Sequence, residues 1–408
     1  MNEKNTQNVI PNVNSKGQEE RNVPDLRFKR YDFPWVKVPL KNLLKFQNGI
    51  NADSSKYGKG TKYISVTDIL NNKYITYENI KGLINIDEAT KNRFLVEYGD
   101  ILFQRSSETF LDIGRSNVYL DKESSATFGG FVIRGKKIND YDPLFFKYLL
   151  DSTNSRKKII KMGAGAQHFN IGQEGLESIE LYFPCKSEQI KIGELFSYLD
   201  DRIIAQKKII EDLLSSKNII KNKMIHKAKE IGNYYTLKEL GQYFNGVAHE
   251  NNISEQGYVL INSKFISSDG TIKKHVNDSS FVLKKNDICI VLSDLPNGKA
   301  LSKCFFVNKD NYYALNQRIA CIRTNDISFS KYLYYYLSRN DYFLKFDDGV
   351  SQTNLKKDDV LNCPIYYSDF VKKYIEYLEI IDIKIKNEKQ ILLLYEQQKQ
   401  YLLDKMFI

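Results

Sequence analysis

The sequence predicts an α+β protein in which two mixed α/β domains follow each other as a tandem pseudo-repeat, separated by two long helices that pair as an antiparallel coiled coil. Three observations support this prediction. Motifs of the first half return in the second half, each half ends in a long stretch of helical periodicity, and the remaining segments contain short runs of β-forming residues. A length of 408 residues is sufficient for two or three domains.

The repeat is clearest at an offset of 184 residues. The motif Phe-x-Lys-Tyr-Leu at 145–149 occurs again at 329–333. Two earlier segments match their counterparts only with gaps: 47–50 resembles 244–247, and 99–103 resembles 286–290. A period of this length is too long for a solenoid, and it indicates two related domains.

Each half ends in a helix with apolar residues at alternating steps of four and three, which is the a/d rhythm of a coiled coil. The first set is Ile192, Phe196, Leu199, Ile203, Gln206, Ile210, Leu213, Lys217, Ile220 and Met224. Adding 182 to each number gives the second set, Tyr374, Leu378, Ile381, Ile385, Glu388, Leu392, Tyr395, Lys399, Leu402 and Met406. The two polar interruptions fall at the same steps in both sets.

The lengths of these helices suggest a use for them. At 1.5 Å per residue, residues 186–230 would form a rod of about 68 Å and residues 369–407 one of about 58 Å. Neither stretch contains proline. Polar residues at a/d positions cost stability and fix the register, which favours two helices paired with each other over two unrelated amphipathic helices. The pair is therefore interpreted as a molecular ruler between the domains.

Between the helices the pattern is mostly that of strands. Apolar runs rich in β-formers lie at 63–66, 101–103, 131–133 and 319–322, while 144–150 and 331–337 are typical of short helices. The turn at Gly99 and Asp100 is interpreted as structural, feeding a buried strand. The predicted boundaries are an N-terminal arm 1–30, a first domain 31–184, a central helix 185–231, a second domain 232–367 and a C-terminal helix 368–408.

The charge indicates the class of partner. Lys and Arg number 60 against 50 Asp and Glu, a net charge of +10, which favours polyanions. Basic residues stand beside polar and aromatic ones in glycine-marked loops such as 56–63. Any one of them is ordinary surface chemistry, but together they predict a nucleic-acid-binding surface.

Other features narrow the cellular context. The five cysteines are scattered without a Cys-x-x-Cys pair, which favours reduced thiols, no metal site and a cytoplasmic location. No run of 18 apolar residues is present, and residues 1–22 lack the apolar core of a secretory leader.

No catalytic motif is complete. Gly298-Lys299-Ala300 lacks the rest of a phosphate-binding loop, and Asp32-Phe33-Pro34-Trp35 only approaches the Asp-Pro-Pro-aromatic element of amino-methyltransferases. We therefore predict no catalytic residue, no metal and no cofactor in this chain. Two alternatives stay open at this point: a stand-alone DNA nuclease or methyltransferase, and a scaffold that binds only proteins.

From about Val23 to its end, the chain resembles the DNA-specificity (S) subunits of type I restriction–modification systems. The most specific match is the junction at 181–184, Leu-Tyr-Phe-Pro, followed by Glu188-Gln189 and the helix residues at 199–213. The segments 99–106 and 315–318 resemble the family's central motif. The second copy departs from the pattern, since Ser368 replaces the proline and no Glu-Gln pair follows.

This resemblance implies a function. Each domain would be a target recognition domain that reads one half of a bipartite double-stranded DNA site, and the helices would set the gap. The chain itself would be non-catalytic. Two methyltransferase (modification) subunits would methylate adenine N6 with S-adenosylmethionine, and restriction/translocase subunits would use ATP and Mg. A specificity subunit of a methylation-only complex is the alternative within this class.

The candidate DNA-binding residues are basic, amide, hydroxyl and aromatic side chains in the less repeated loops. In the first domain they are Lys56, Tyr57, Lys59, Lys62, Arg105, Ser106, Gln167, His168 and Asn170. In the second domain they are Asn262, Lys264, Lys273, Lys274, Gln317, Arg318, Gln352 and Asn354.

Overall fold

The computed structural model describes residues 22–165, 168–249, 252–279 and 281–408. These residues form two compact units. The first unit contains the described residues up to Lys207 together with Ile391–Ile408, and the second unit is Lys208–Gln390. Each unit is thus built from a continuous domain and parts of both long helices.

The first unit contains eleven strands and six helices among its described residues. The strands are β1 Val36–Pro39, β2 Leu44–Asn48, β3 Tyr57–Ile64, β4 Gly82–Ile84, β5 Ile101–Gln104, β6 Ser106–Ser107, β7 Ser116–Val118, β8 Thr127–Phe128, β9 Val132–Lys137, β10 Phe169–Asn170 and β11 Glu180–Phe183. The helices are α1 Val66–Asn71, α2 Glu88–Arg93, α3 Pro143–Asp151, α4 Thr153–Lys161, α5 Gln173–Glu177 and α6 Lys186–Ile231, the last of which ends in the second unit.

A four-stranded antiparallel sheet in the order β2-β9-β5-β7 forms the centre of the first unit. Beside it lie a three-stranded sheet, β4-β3-β8, and the two-stranded pairs β1-β11 and β6-β10. Helix α3 begins as its sequence predicts, because the Asp142 carboxylate accepts the backbone N–H of Phe145 at 2.8 Å and Pro143 occupies the first turn. Its buried side chains join the core of the sheet.

The second unit contains twelve strands and six further helices among its described residues. The strands are β12 Asn233–Thr236, β13 Gln242–Asn245, β14 Ile253–Ser254, β15 Tyr258–Ile261, β16 His275–Val276, β17 Ile288–Val291, β18 Ser293–Asp294, β19 Cys304–Phe306, β20 Tyr313–Leu315, β21 Ile319–Arg323, β22 Thr353–Asn354 and β23 Pro364–Tyr367. The helices are α7 Leu237–Leu240, α8 Ser263–Ser267, α9 Ile327–Leu337, α10 Asp341–Leu344, α11 Lys357–Leu361 and α12 Lys372–Met406, the last of which ends in the first unit.

The sheets of the second unit confirm the predicted repeat. Its central sheet has the order β13-β21-β17-β19, which is the order of the first unit strand by strand. The turns before β5 and β17 also match, since Gly99 and Asn286 both have positive φ, at 90° and 74°. Glycine and asparagine are the residues that tolerate this conformation, which explains how one replaces the other.

The predicted a/d residues of α6 and α12 are buried or half-buried at all twenty positions. In the first unit, the Lys399 ammonium lies 2.5 Å from the Asp200 carboxylate, and Lys207 lies 3.1 Å from Glu396. Higher numbers on α6 therefore face lower numbers on α12, so the two helices run antiparallel there. In the second unit, the Lys217 ammonium lies 2.5 Å from Asp382.

Each of these lysine–aspartate pairs is completed by a tyrosine. In the first unit the Tyr148 hydroxyl donates to Asp200 at 2.8 Å, and in the second unit Tyr335 donates to Asp382 at 2.8 Å. Asp200 and Lys217 lie on α6, and adding 182 gives Asp382 and Lys399 on α12. We call these two clusters the Tyr-Asp-Lys triads. The polar interruptions Lys217 and Lys399 are thus paired across the helices.

The two ends of the described chain meet in the core of the first unit. Trp35 is buried and packs edge-on against Phe145 and Phe407, with ring centroids 5.8 and 6.2 Å away. The Leu26 N–H donates to the Lys405 carbonyl at 2.8 Å, and the Arg27 guanidinium lies 2.7 Å from the buried carboxylate of Glu188. The predicted arm 1–30 therefore includes a packed segment from residue 22 onward, and residues 1–21 lie outside the described residues.

The replacement Phe407→Ala should destabilise the first unit by about 3–5 kcal/mol, the usual cost of removing a buried phenyl ring. The reason is that Phe407 contacts Trp35, Phe145 and Phe196 in one aromatic cluster. Thermal unfolding and hydrogen exchange would measure the loss. The exposed Phe33 is the matched control, and Phe33→Ala should leave stability within about 0.5 kcal/mol. Equal effects of the two variants would contradict the packing.

Candidate nucleic-acid interface

At one side of the first unit, the ends of several strands lie next to each other. The backbone N–H of Gly129 donates to Ile64 at 2.9 Å, that of Arg105 donates to Phe131 at 2.9 Å, and that of Ile171 donates to Arg105 at 3.0 Å. The last two bonds tie three segments together, 104–107, 129–131 and 168–171, and the first bond connects them to the end of β3. We call them the first loop edge.

The second unit has the same construction. The backbone N–H of Asn316 donates to Ile261 at 3.1 Å, that of Leu292 to Arg318 at 2.9 Å, and that of Leu355 to Leu292 at 2.8 Å. The segments 291–294, 316–318 and 352–355 form the second loop edge. The two edges match residue by residue, with Arg105 at the place of Leu292 and Phe131 at the place of Arg318.

Four predicted residues of the first domain lie on the first loop edge. Strands β6 and β10 place Ser106 opposite Asn170, and the Ser106 hydroxyl donates to the Asn170 Oδ1 at 2.5 Å. The Arg105 guanidinium donates to the Gly130 carbonyl at 3.3 Å. His168 lies exposed beside them, while Gln167 lies outside the described residues.

Four predicted residues of the second domain meet on the second loop edge. Gln317 and Arg318 are exposed in the turn between β20 and β21. The Gln352 amide donates to the Ser293 hydroxyl at 2.6 Å, and Asn354 lies opposite Ser293 in the β18–β22 pair. Amide, hydroxyl and guanidinium groups of this kind can bond to base edges and phosphates.

Asn262 follows Ile261, the partner of Asn316, and so lies next to the second loop edge. Its Oδ1 accepts the backbone N–H of Phe265 at 2.8 Å, so the side chain already serves as the N-cap of α8.

The remaining predicted basic residues lie on other segments. Lys62 is half-buried, and its ammonium donates to the carbonyls of Tyr77 at 2.8 Å and Glu78 at 3.2 Å, which fixes the chain before β4. The exposed ones are Lys56, Tyr57 and Lys59 around the start of β3, and Lys264, Lys273 and Lys274 on α8 and before β16. No contact in the structure tests these side chains as DNA ligands, and they stay predictions.

The sequence analysis did not select Phe131 or Ser293 as candidate DNA-binding residues. Phe131 is 70% exposed at the tip of the turn before β9, and Ser293 takes the place of Ser106. The missed signal is the offset. The central segments align at 187, not at the 184 that fits the later motifs, because the chain from the start of β9 to Phe145 is three residues longer than the chain from the start of β21 to Phe329.

The opposite end of each central sheet is occupied by a buried carboxylate. Asp100 accepts the backbone N–H groups of Glu97 at 3.1 Å and Lys137 at 2.9 Å, and burial raises the pKa of its carboxyl group. Asp287, at the same place in the second unit, bonds both ends of its carboxylate to the Arg323 guanidinium, at 2.7 and 2.6 Å. These contacts agree with the structural role predicted for the Gly99–Asp100 turn.

A comparison with protein families now identifies the first half of the chain. Residues 33–214 match the type I restriction modification DNA specificity domain. This range includes the whole first loop edge and the first part of α6. Residues 33–214 belong to the type I restriction–modification DNA specificity family. The prediction of a DNA-specificity subunit, with a role in sequence-specific DNA recognition, is thereby confirmed.

Solved structures extend the fold likeness to nearly the whole chain. The S subunit of a type I restriction–modification system from M. genitalium aligns with a TM-score of 0.56 at 16% identity, covering 95% of this chain and 99% of that one. A second chain, from a study of complex assembly and conformational transition of the type I R-M system, aligns with a TM-score of 0.51 at 14% identity, covering 92% and 98%. Curated protein sequences give no match.

These likenesses confirm the predicted fold class of two tandem mixed domains with long pairing helices. Among the described residues, no helix has the length and apolar character needed to cross a membrane. The predicted domain boundaries and the predicted contact residues stay predictions.

Proposed function

We propose that this specificity subunit directs a type I restriction–modification complex to a bipartite DNA site. Each unit reads one half-site through its loop edge, and the two long helices set the gap. The observation that carries this proposal is the repetition of the loop edge. Two copies of one surface, each on the same kind of four-stranded sheet, suit a ligand that offers two separate half-sites.

The helices support the spacing role. Helix α6 has 46 residues and α12 has 35, and each of them contributes to both units. At 1.5 Å per residue they extend about 69 and 53 Å, the length of more than one turn of DNA. The Tyr-Asp-Lys triads fix the register of the pair within each unit. A rigid helix pair of fixed register would give one gap length.

The surface of the helices supports large protein partners. Several big apolar side chains on α6 and α12 are at least half exposed: Tyr198, Ile204, Ile219, Tyr377, Ile380, Ile383, Leu394 and Tyr401. Exposed apolar side chains in this number on two neighbouring helices suit a surface that binds other proteins. We assign this surface to two methyltransferase subunits, which would supply adenine-N6 methylation with S-adenosylmethionine. Restriction subunits would add ATP- and Mg-dependent translocation and cleavage, in the cytoplasm.

The test is to map methylated bases by long-read sequencing, in a host with this gene and in one deleted for it. We expect N6-methyladenine to disappear from one bipartite motif in the deleted strain. A motif that is lost without any restriction of unmethylated DNA would indicate a methylation-only complex. An unchanged methylome would contradict the proposal.

Binding assays on the purified chain distinguish the two other classes. Duplex binding that weakens steeply with salt would exclude a scaffold that binds only proteins, since released counterions give that slope. Methyl transfer or cleavage by the chain alone would identify a stand-alone enzyme.

A further inference from the structure

We propose that Phe131 and Arg318 occupy one matched base-reading position in the two units, and that their difference gives the two half-sites different bases there. Phe131 would contact the methyl group of a thymine, and Arg318 would bind a guanine. This inference rests on the proposed function and names the position through which each loop edge reads sequence.

The backbone makes the two positions equivalent. Each residue directly precedes a central strand, β9 or β21, and its carbonyl accepts the N–H of Arg105 or Leu292 at 2.9 Å. The next residue of each strand, Val132 or Ile319, accepts a glycine N–H at 3.1 Å. These backbone hydrogen bonds hold both turns in place. The side chains of Phe131 and Arg318 therefore extend from a fixed backbone.

Neither side chain is used by the fold. The Phe131 ring is 70% exposed, while Val132 beside it is fully buried. Arg318 is exposed, and its guanidinium forms no hydrogen bond or ion pair with the described residues. By contrast, Arg323, the last residue of β21, is bonded to Asp287. An exposed phenyl ring and an unpaired guanidinium at matching tips are therefore available to a ligand.

The chemistry of the two side chains differs in a way that base pairs can distinguish. A guanidinium can donate two parallel hydrogen bonds to the O6 and N7 of guanine in the major groove. A phenyl ring has no donor, and its favourable contact there is with the thymine methyl group. The same location would thus require guanine in one half-site and thymine in the other.

Two neighbouring pairs of positions are the same in both units. Ser106 and Ser293 match, as do Asn170 and Asn354, and both pairs lie in the short strands of the loop edges. Groups that are the same in both units suit what is the same in both half-sites, the phosphate backbone. In the 129–131 and 316–318 turns, Phe131 and Arg318 are the exposed pair at which one unit has an apolar group and the other a cation.

The experiment exchanges the two residues in the full chain, expressed with its partner subunits, and maps the methylated motif. Phe131→Arg should change the preferred base at one position of one half-site, by about tenfold or more, the discrimination of one bidentate guanine contact. Arg318→Phe should change one position of the other half-site. The gap and the opposite half should stay as in the natural protein.

The controls lie at the other ends of the same two strands. Ile138 follows β9 and is exposed, and Asn325 lies just beyond β21 and is exposed. Ile138→Arg and Asn325→Phe add the same groups to the same units and should leave the motif unchanged. A bipartite motif in the natural protein and in these controls would establish the proposed function separately.

The inference is overturned if the exchanged variants methylate the original motif, or if the controls change it equally. Should Phe131→Arg abolish methylation, Phe131→Ala decides. A motif relaxed at one position of one half-site supports the base-reading role, while an unchanged motif or a complete loss of methylation overturns it.

Discussion

Removal of one heptad from each long helix should shorten the gap in the methylated motif and leave both half-sites intact. Deleting 203–209 from α6 and 390–396 from α12 removes facing segments and keeps the a/d pattern continuous in both helices. Both triads and the pair of Lys389 with Asp269 remain, while Lys207 and Glu396 leave together. Seven residues span about 10.5 Å, so the gap should contract by up to about three base pairs. Methylation mapping reads the result directly.

The control for this experiment deletes the heptad from one helix only. Such a deletion shifts one helix against the other by seven residues. The pair of Asp200 with Lys399 and the pair of Asp382 with Lys217 then cannot both form in one register of the helices. We expect this chain to lose methylation altogether. An unchanged gap in the doubly shortened chain would contradict the ruler.

Breaking a triad should destabilise one unit and spare the other. In the variant Asp200→Ala, the Lys399 ammonium and the Tyr148 hydroxyl both lose their partner, and the Lys399 side chain is only 23% exposed. Removing one member of a mostly buried ion pair costs about 3 kcal/mol. Hydrogen exchange should show faster exchange in the first unit. The matching variant Asp382→Ala should act on the second unit instead.

A double-mutant cycle distinguishes pairing from simple burial. The combination Asp200→Ala with Lys399→Met removes both charges, and it should cost less than the sum of the single changes, because no unpaired ammonium is left. Additive losses would mean that the two side chains do not interact. A uniform effect of Asp200→Ala on both units would contradict a local role.

The helices were the most predictable part of the structure. Their a/d positions repeat over ten steps, and such a pattern leaves few alternatives. The sequence also indicated that the polar steps matter, but it could not pair Lys217 with Asp382. The reason is that Asp200 and Asp382 stand one residue beyond the a/d positions Leu199 and Ile381, outside the stripe that the pattern follows.

The loop edges were only partly predictable. Arg105, Ser106 and Asn170 were selected by residue type, and the structure brings them together through the short strands β6 and β10. Strands of two residues have no detectable periodicity. Asn262 was selected for the same reason, yet an asparagine before a helix is also a cap, and residue type does not separate the two uses. Phe131 was missed because an exposed aromatic residue next to an apolar run looks like part of the strand.

The closure of the first unit by Ile391–Ile408 has a consequence for protein synthesis. The ribosome completes Lys208–Gln390, the second unit, before it makes the residues that fill the aromatic cluster around Trp35. The half of the protein that is synthesised first must therefore wait longest to finish folding. A stop codon just before Phe407 would act mainly on the first unit, where Phe407 packs against Trp35, which precedes it by 372 residues. The codons for Ile391–Ile408 thus control the folding of the first unit.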